Sequence, residues 1–236
     1  GGRPAGGGGV NVLGHARVAL DLGLDGPAEV LGAVLPDLAP AAGVRLVRDR
    51  LDGPLAAGVR CHLDADAAFH AHPRFRAGTR ALRADLTARG IPRGPARAVA
   101  HAGWELLLDG TLVGGDAERA FRDAVGRAAD AADALDPADR PRWAAFVARA
   151  RVAGPLAYDD PRWVAVRLGT VLARRPRLRL PAEHVDAVAP VLAAHRAEVA
   201  RVAGAVIDDV VRAVSHGERR LTGDRRSVGG NGAGVV

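Results

Sequence analysis

The 236-residue sequence has one cysteine, no lysine, no methionine and few aromatic residues. The single cysteine, Cys61, excludes an internal disulfide and is typical of proteins in a reducing compartment. No stretch of about eighteen uninterrupted apolar residues occurs, so the sequence predicts no membrane span. The glycine-rich beginning also lacks the apolar segment of a secretion signal. We therefore expect a cytoplasmic protein.

Arginine supplies all 33 basic residues, which exceed the 27 acidic residues and give a net charge of +6. This excess favours an acidic partner, because arginine makes paired hydrogen bonds to phosphate or carboxylate groups. Aromatic residues that could stack on bases make up only 3% of the chain, and the arginines are interleaved with acids. We therefore do not expect nucleic acid as a partner. The sequence leaves the oligomeric state open.

Helical periodicity dominates the sequence. Apolar residues recur at intervals of three and four, and the abundant alanine, leucine and arginine are strong helix formers. No alternating segment predicts a strand, so we expect an all-α fold with one helical domain over residues 10–216. Residues 1–9 are expected to form a flexible leader and residues 217–236 a disordered tail. The predicted helices cover residues 12–24, 27–35, 54–72, 75–89, 95–110, 117–134, 137–151, 161–174 and 181–216.

Two of these predictions depend on proline. We expect Pro36 to end the second helix, because the residue before a proline is disfavoured in the helical conformation. Asp37 would then lie at a junction between helix and loop. We expect Pro190 to kink the last helix or to divide it in two.

Residues 58–73, GVRCHLDADAAFHAHP, hold three of the eight histidines. Within them His62, Asp66 and His70 are four residues apart, so they share one face of a helix. Imidazole and carboxylate are ligands of zinc, manganese or iron, and this face is a candidate metal site. The structural alternative is a solvated face, or a core histidine whose hydrogen bonds are satisfied. His101 and Glu105 have the same spacing on a later predicted helix.

Four segments carry a resemblance to a known family. They occur in the order NVLGHARVAL with His15, GAVLPDL with Asp37, AGVRCHLDADAAFHAHP with His62 and Asp66, and YDDPRWVAVRLGTVLARRPRLRL with Tyr158. In this order and spacing they resemble the acyl carrier protein phosphodiesterases, helical metal phosphohydrolases of the HD-domain kind. The similarity extends over residues 10–200. The GAVLPDL segment is also similar to a turn in zinc-dependent phospholipase C-like proteins, so it leaves the substrate open.

The sequence departs from the family pattern at two places. Where the family has an aspartate-histidine pair on a middle helix, this chain has AVAHAGWELLLDG. His101 and Glu105 in that segment are the candidates for an equivalent ligand and base. The family also has aspartate at the position of His70.

The resemblance implies an HD-domain-like bundle that uses a divalent metal ion (Mn, Mg, Fe or Zn) to hydrolyse a phosphodiester. The implied reaction removes the 4′-phosphopantetheine arm from the serine of holo acyl carrier protein, an acidic partner. The implied ligands are His15, His62 and Asp66, with Asp37 as a fourth ligand or an orienting partner. Glu105 or His101 is the candidate general base or acid. The other candidates are Arg174, Arg175 and Arg177 for phosphate or carrier binding, and His70, Asp109 and Tyr158 as additional site residues.

Two further functions remain open from the sequence. One is a helical metal phosphohydrolase that acts on a nucleotide or a phospholipid, and the other is a noncatalytic helical module that retains the fold. Each candidate side chain also has a structural alternative. His15 could be a core histidine, Asp37 a turn cap and Glu105 a surface residue, while the arginines could be a solvated helix end.

Overall fold

The computed structural model describes residues 11–154, 156–173 and 175–227, and in these residues it is all-α, as predicted, with no β-strand. Three short 3-10 helices, Arg48–Arg50, Ala128–Ala134 and Pro137–Asp139, occur between longer elements. The α-helices of these residues are α1 (Val12–Asp21), α2 (Pro27–Ala42), α3 (Gly53–Ala71), α4 (Pro73–Ala88), α5 (Arg93–Gly110), α6 (Asp116–Gly126), α7 (Arg140–Arg151), α8 (Pro161–Leu172) and α9 (Ala182–Ser227). None of these helices is both long enough and apolar enough to cross a membrane.

Most of the other helices pack against the long helix α9. It packs against α1, α3, α4, α5 and α8, while α2 packs against α1 and α3. The interior is almost wholly aliphatic, with Trp104 and Trp143 as its largest fully buried side chains. This packing brings α1, α2, α3 and α5 together around the candidate site.

The predicted ends of α3, α4 and α5 are confirmed to within a few residues. The predicted helix over 117–134 is divided instead: α6 ends at Gly126, and the 3-10 helix Ala128–Ala134 follows. The predicted helix over 161–174 ends earlier, because α8 stops at Leu172. The predicted leader and residues 228–236 lie outside the described residues.

The prediction that Pro36 ends the second helix is wrong. Helix α2 continues through Pro36 and Pro40 and ends only where Gly43 adopts a φ of 71°. A proline inside a helix removes one backbone donor and crowds the preceding turn. The buried face of α2 against α3 offsets that cost, because tertiary packing contributes more to helix stability than intrinsic propensity does. Asp37 therefore lies inside a helix, buried, and not at a junction.

Helix α9 also continues through its proline. It is one helix from Ala182 to Ser227 with Pro190 inside it, so it is not divided in two. Pro190 has no amide hydrogen to donate to the carbonyl oxygen of Asp186, four residues earlier. Asp186 is an exposed residue, where water can take the place of the missing donor. The disordered tail was predicted to begin at residue 217. The helix instead continues to Ser227, ten residues beyond Gly217.

The contact between α2 and α3 is unusually close, and two glycines make it possible. A Cβ atom on Gly32 would lie 2.3 Å from the backbone oxygen of Leu55, and one on Gly58 would lie 2.0 Å from the oxygen of Glu29. Neither backbone can accommodate even a methyl group without moving. This close approach sets the position of α3, and therefore of the face that carries His62 and Asp66, relative to α2.

We predict that Gly32→Ala destabilises the protein by about 2 kcal/mol, because the new methyl group overpacks the contact between α2 and α3. Gly204→Ala on α9 is the matched control, since a Cβ atom there has no neighbour within 4 Å. That variant should gain about 0.5–1 kcal/mol from helix propensity alone. Urea denaturation measures both. Equal effects of the two substitutions would contradict the packing described here.

Candidate metal centre

Three of the four side chains that the family resemblance implies as metal ligands come together. His15 of α1 and His62 and Asp66 of α3 each offer a ligand atom, and these atoms lie within 4.8 Å of one another. The two imidazole rings face each other with their centroids 4.0 Å apart and their planes tilted by 31°. Residues from two separate helices thus meet in the arrangement expected of a metal site.

Both histidines of this group are buried, and burial sets their protonation state. Burial lowers the pKa of His15 well below its ordinary value, and the nearby His62 lowers it further. Burial likewise lowers the pKa of His62. Both rings are therefore neutral at pH 7, and neutral imidazole is the form that binds a metal ion.

The orientation of the His62 ring is fixed by the backbone of α2. Its Nδ1 donates a hydrogen bond of 2.8 Å to the carbonyl oxygen of Ala33. Because Nδ1 carries the proton, the other ring nitrogen, Nε2, has a free lone pair. Metal-binding histidines in proteins are commonly held in this way. The donor set of two neutral imidazoles and a carboxylate therefore fits a divalent ion such as zinc, manganese or iron.

Asp37 lies beside this group. Its Oδ2 is 3.9 Å from Nε2 of His15, and both side chains are buried. The three ligand atoms that converge do not include one from Asp37. Asp37 was predicted to be either a fourth ligand or an orienting partner. Its position suits the role of orienting His15 better than that of a fourth ligand.

A second group of possible ligands lies next to the first. It consists of His70 of α3 with His101 and Glu105 of α5, whose ligand atoms also lie within 4.8 Å of one another. Oε1 of Glu105 is 3.1 Å from Nε2 of His70 and 3.2 Å from Nε2 of His101. The Glu105 side chain is only 4% exposed, which excludes the alternative of a surface glutamate.

Ion pairing determines the charges in the second group. Burial lowers the pKa of His70, but hydrogen bonds to Asp66 and Glu105 outweigh it and raise this pKa to about 10. Burial raises the pKa of Glu105, but the hydrogen bonds from His101 and His70 outweigh it, so the net pKa is lowered. Without a metal ion, His70 is therefore a cation between two carboxylates.

The two groups are joined through Asp66. Its Oδ2 is 3.3 Å from Nδ1 of His70, and its side chain is 44% exposed. The first group is buried at His15 and His62, whereas the second group opens to solvent at His101. The site is thus a continuous row of six side chains that runs from the interior to the surface.

Asp109 has a structural role that the sequence analysis did not identify. It lies on α5 one turn beyond Glu105, and its two carboxyl oxygens accept hydrogen bonds from the backbone amides of Leu13 (3.0 Å) and Gly14 (2.8 Å). The carboxyl group therefore caps the beginning of α1, one residue before His15. Only the folded structure reveals this partnership, because the residues are about 95 positions apart.

The remaining candidates are Tyr158 and three arginines. Tyr158 is buried and packs edge-to-face on Trp163, and burial raises the pKa of its hydroxyl. Arg174 lies outside the described residues. Arg175 and Arg177 follow α8, and a Cβ atom on Gly94, near the beginning of α5, would lie 2.9 Å from the backbone oxygen of Arg177. His101 lies seven residues farther along α5, about 10 Å along the helix axis.

A basic surface beside the second group was also missed. Residues 73–97 contain seven arginines, all exposed, and only one acid, Asp85. This segment begins at the site, because the ring of Phe75 lies 5.3 Å from His70 and 5.2 Å from His101, centroid to centroid. The local charge imbalance was visible in the sequence, but its proximity to the histidines was not. The arginines are Arg74, Arg76, Arg80, Arg83, Arg89, Arg93 and Arg97.

Comparisons of the chain with protein-family models, with curated proteins and with solved structures gave no match. The resemblance to acyl carrier protein phosphodiesterases therefore stays a prediction.

Proposed function

We propose that the protein is a metal-dependent phosphodiester hydrolase whose substrate is the phosphopantetheine-serine linkage of a holo acyl carrier protein. The observation that carries the proposal is the convergence of His15, His62 and Asp66 with both imidazoles neutral. The half-exposed Asp66 and the solvent-facing His101 leave this centre open on one side, as a hydrolytic site requires.

The chain would hold the metal ion through His15, His62 and Asp66. When bound, such an ion lowers the pKa of a water molecule and polarises the phosphoryl group. The Ala33 carbonyl keeps the lone pair of His62 directed away from α2, and Asp109 holds the first turn of α1 beside His15. Both supports are made before substrate arrives, so the ligand geometry is preorganised.

His101 and Glu105 provide for proton transfer in this proposal. Nε2 of His101 lies 3.2 Å from Oε1 of Glu105, and the His101 side chain is 47% exposed. A histidine held by a carboxylate and open to solvent can donate a proton to a leaving oxygen. Glu105 positions the ring for that step.

The arginines of residues 73–97 support an acidic macromolecule as the substrate. Arg74 and Arg76 flank Phe75, whose ring lies against His70 and His101, and the other exposed arginines continue along α4 and into α5. A basic surface of this kind speeds the encounter with a negatively charged partner. Acyl carrier proteins are acidic. A small phosphodiester would need only the site itself.

The experiment that tests the proposal is incubation of the purified protein with Mn²⁺ and a holo acyl carrier protein, followed by mass spectrometry of the carrier. We expect the carrier to lose the mass of its phosphopantetheine arm. An unchanged carrier together with hydrolysis of a nucleotide or phospholipid diester would favour the alternative phosphohydrolase. No hydrolysis of any of these substrates would contradict the enzyme.

A charge-reversal variant tests the basic surface separately. We predict that Arg76→Glu with Arg80→Glu lowers kcat/KM for the carrier by about tenfold, because the encounter loses its electrostatic attraction. The rate for a small aryl phosphodiester should stay within about twofold. Arg149→Glu is the matched control, since Arg149 is exposed on α7, which packs against α2 and α6. Equal losses for both substrates would show that the arginines do not bind the carrier.

A further inference from the structure

We propose that Phe75 of α4 is a positioning residue for His101, because its ring fixes the plane of the imidazole that serves as proton donor in the proposed reaction. This inference deepens the proposed function and rests on it for the meaning of that plane. The mobility of the His101 ring can be measured without any enzymatic activity.

The His101 ring needs a support besides Glu105. Oε1 of Glu105 lies 3.2 Å from Nε2 of His101, so this contact fixes one atom of the ring. The ring can still turn about that contact, because the last side-chain torsion of histidine has only broad preferences. The nitrogen left to face a leaving oxygen is Nδ1, and its direction depends on how the ring is turned.

Phe75 provides the missing contact. Its ring stands nearly perpendicular to the ring of His101, at 83°, with the centroids 5.2 Å apart. Aromatic rings prefer this edge-to-face arrangement. The ring of His70 lies 4.8 Å from that of His101 and is tilted by 38°. Two neighbouring rings thus restrict a side chain that is 47% exposed to solvent.

Phe75 is itself held by the core. Its side chain is 4% exposed, and the rings of Phe69 and Trp104 lie 4.6 Å and 5.3 Å from its own, centroid to centroid. Gly78, one turn later on α4, lets this helix approach α5, because a Cβ atom there would lie 2.2 Å from Nε1 of Trp104. Phe75 is therefore a fixed surface against which the His101 ring rests.

A second histidine fixes the turn of α4 that carries Phe75. His72 caps this helix, since its Nδ1 accepts a hydrogen bond of 3.2 Å from the backbone amide of Arg74. Because Nδ1 accepts, Nε2 carries the proton and donates to Oδ2 of Asp209 on α9, at 3.1 Å. The first turn of α4 is thereby tied to α9, and this tie also holds Phe75 in place.

The first test measures the mobility of the His101 ring. Carbon relaxation in proton-carbon NMR spectra of the protein with Zn²⁺, which is diamagnetic, reports the motion of each histidine ring, and the His101→Gln spectrum assigns His101. We expect a rigid ring in the wild type and a more mobile one in Phe75→Leu. Phe75→Met is measured in parallel, because the flexible methionine side chain fills the space without a ring.

The second test distinguishes a positioned proton donor from a general loss of structure. Aryl phosphodiesters with poor leaving groups depend most on a general acid. We expect Phe75→Leu to lower kcat by about tenfold when the leaving group is phenol, and by less than about twofold when it is nitrophenol. KM should change by less than about twofold for both, because Phe75 acts through His101 and does not bind substrate.

Phe146→Leu is the matched control. Phe146 of α7 stacks on Trp143 with the centroids 5.5 Å apart, and α7 packs against α2 and α6. The substitution removes the same ring at a position away from His101. We expect the mobility of the His101 ring and the dependence on leaving group to match those of the wild type.

A His101 ring as rigid in both Phe75 variants as in the wild type would overturn the inference, as would equal losses of kcat for the two leaving groups. These results are distinguishable from failure of the proposed function. A ring that becomes mobile only in the Phe75 variants of a protein that cleaves no phosphodiester would support the contact while refuting the hydrolase. Carrier hydrolysis by a protein whose His101 ring is unaffected by either Phe75 variant would do the reverse.

Discussion

Replacing His62 with alanine is expected to lower kcat/KM for phosphodiester hydrolysis by about 10³-fold or more. The reason is that the metal ion proposed at His15, His62 and Asp66 would lose a ligand that is already deprotonated on Nε2 and oriented by Ala33. Loss of metal catalysis worth about 4 kcal/mol corresponds to that factor. Steady-state kinetics with an aryl phosphodiester, together with metal analysis of the same samples, measures the effect.

His195→Gln is the control for this experiment. His195 lies on α9, and its Nε2 pairs with Asp85 at 2.7 Å on the surface. Its replacement therefore removes a histidine that does not belong to the row of six side chains. We expect its activity and metal content to match those of the wild type. If His62→Ala keeps its metal and its rate, the proposed metal site at His15, His62 and Asp66 is wrong.

Replacing Asp109 with alanine is expected to destabilise the protein by about 2–3 kcal/mol. The buried amide of Leu13 loses its acceptor, and a buried donor left unsatisfied costs about 1–3 kcal/mol. The amide of Gly14 loses one of its two acceptors and keeps the side-chain oxygen of Asn11 at 3.1 Å. The affinity for a metal ion at the proposed site of His15, His62 and Asp66 should also fall by about 10–100-fold, because the turn that carries His15 loses its support. Urea denaturation and metal titration measure the two effects.

An exposed helix cap elsewhere in the chain is the comparison for Asp109. The side chain of Asp160 accepts from the amide of Arg162 at 2.8 Å and caps α8 at the surface. Asp160→Ala should cost about 1 kcal/mol, as exposed caps do, and should leave metal binding unchanged. Similar losses of stability at both positions would show that burial of the Asp109 contact adds nothing.

Local spacing explains which parts of the site could be predicted. His62, Asp66 and His70 were expected to share one face of a helix, and α3 confirms this. His101 and Glu105 likewise share a face of α5. These relations depend only on helical geometry over four residues, which sequence patterns encode directly.

Contacts between distant segments could not be predicted in this way. The approach of His15 to His62 depends on how α1 packs on α3, and only the resemblance to a family suggested it. The course of α2 through Pro36 depends on burial against α3 and on Gly32 and Gly58, which nothing in the proline spacing reveals. The Asp109 cap on α1 is a tertiary contact of the same kind.

The central claim is that His15, His62 and Asp66 hold a divalent metal ion. Anomalous diffraction from crystals grown with Zn²⁺, measured on both sides of the zinc absorption edge, tests it most directly. The account predicts a zinc peak about 2.0–2.2 Å from a ring nitrogen of each histidine and from a carboxylate oxygen of Asp66. Zinc peaks only at surface residues away from this group, or no peak at all, would contradict the account.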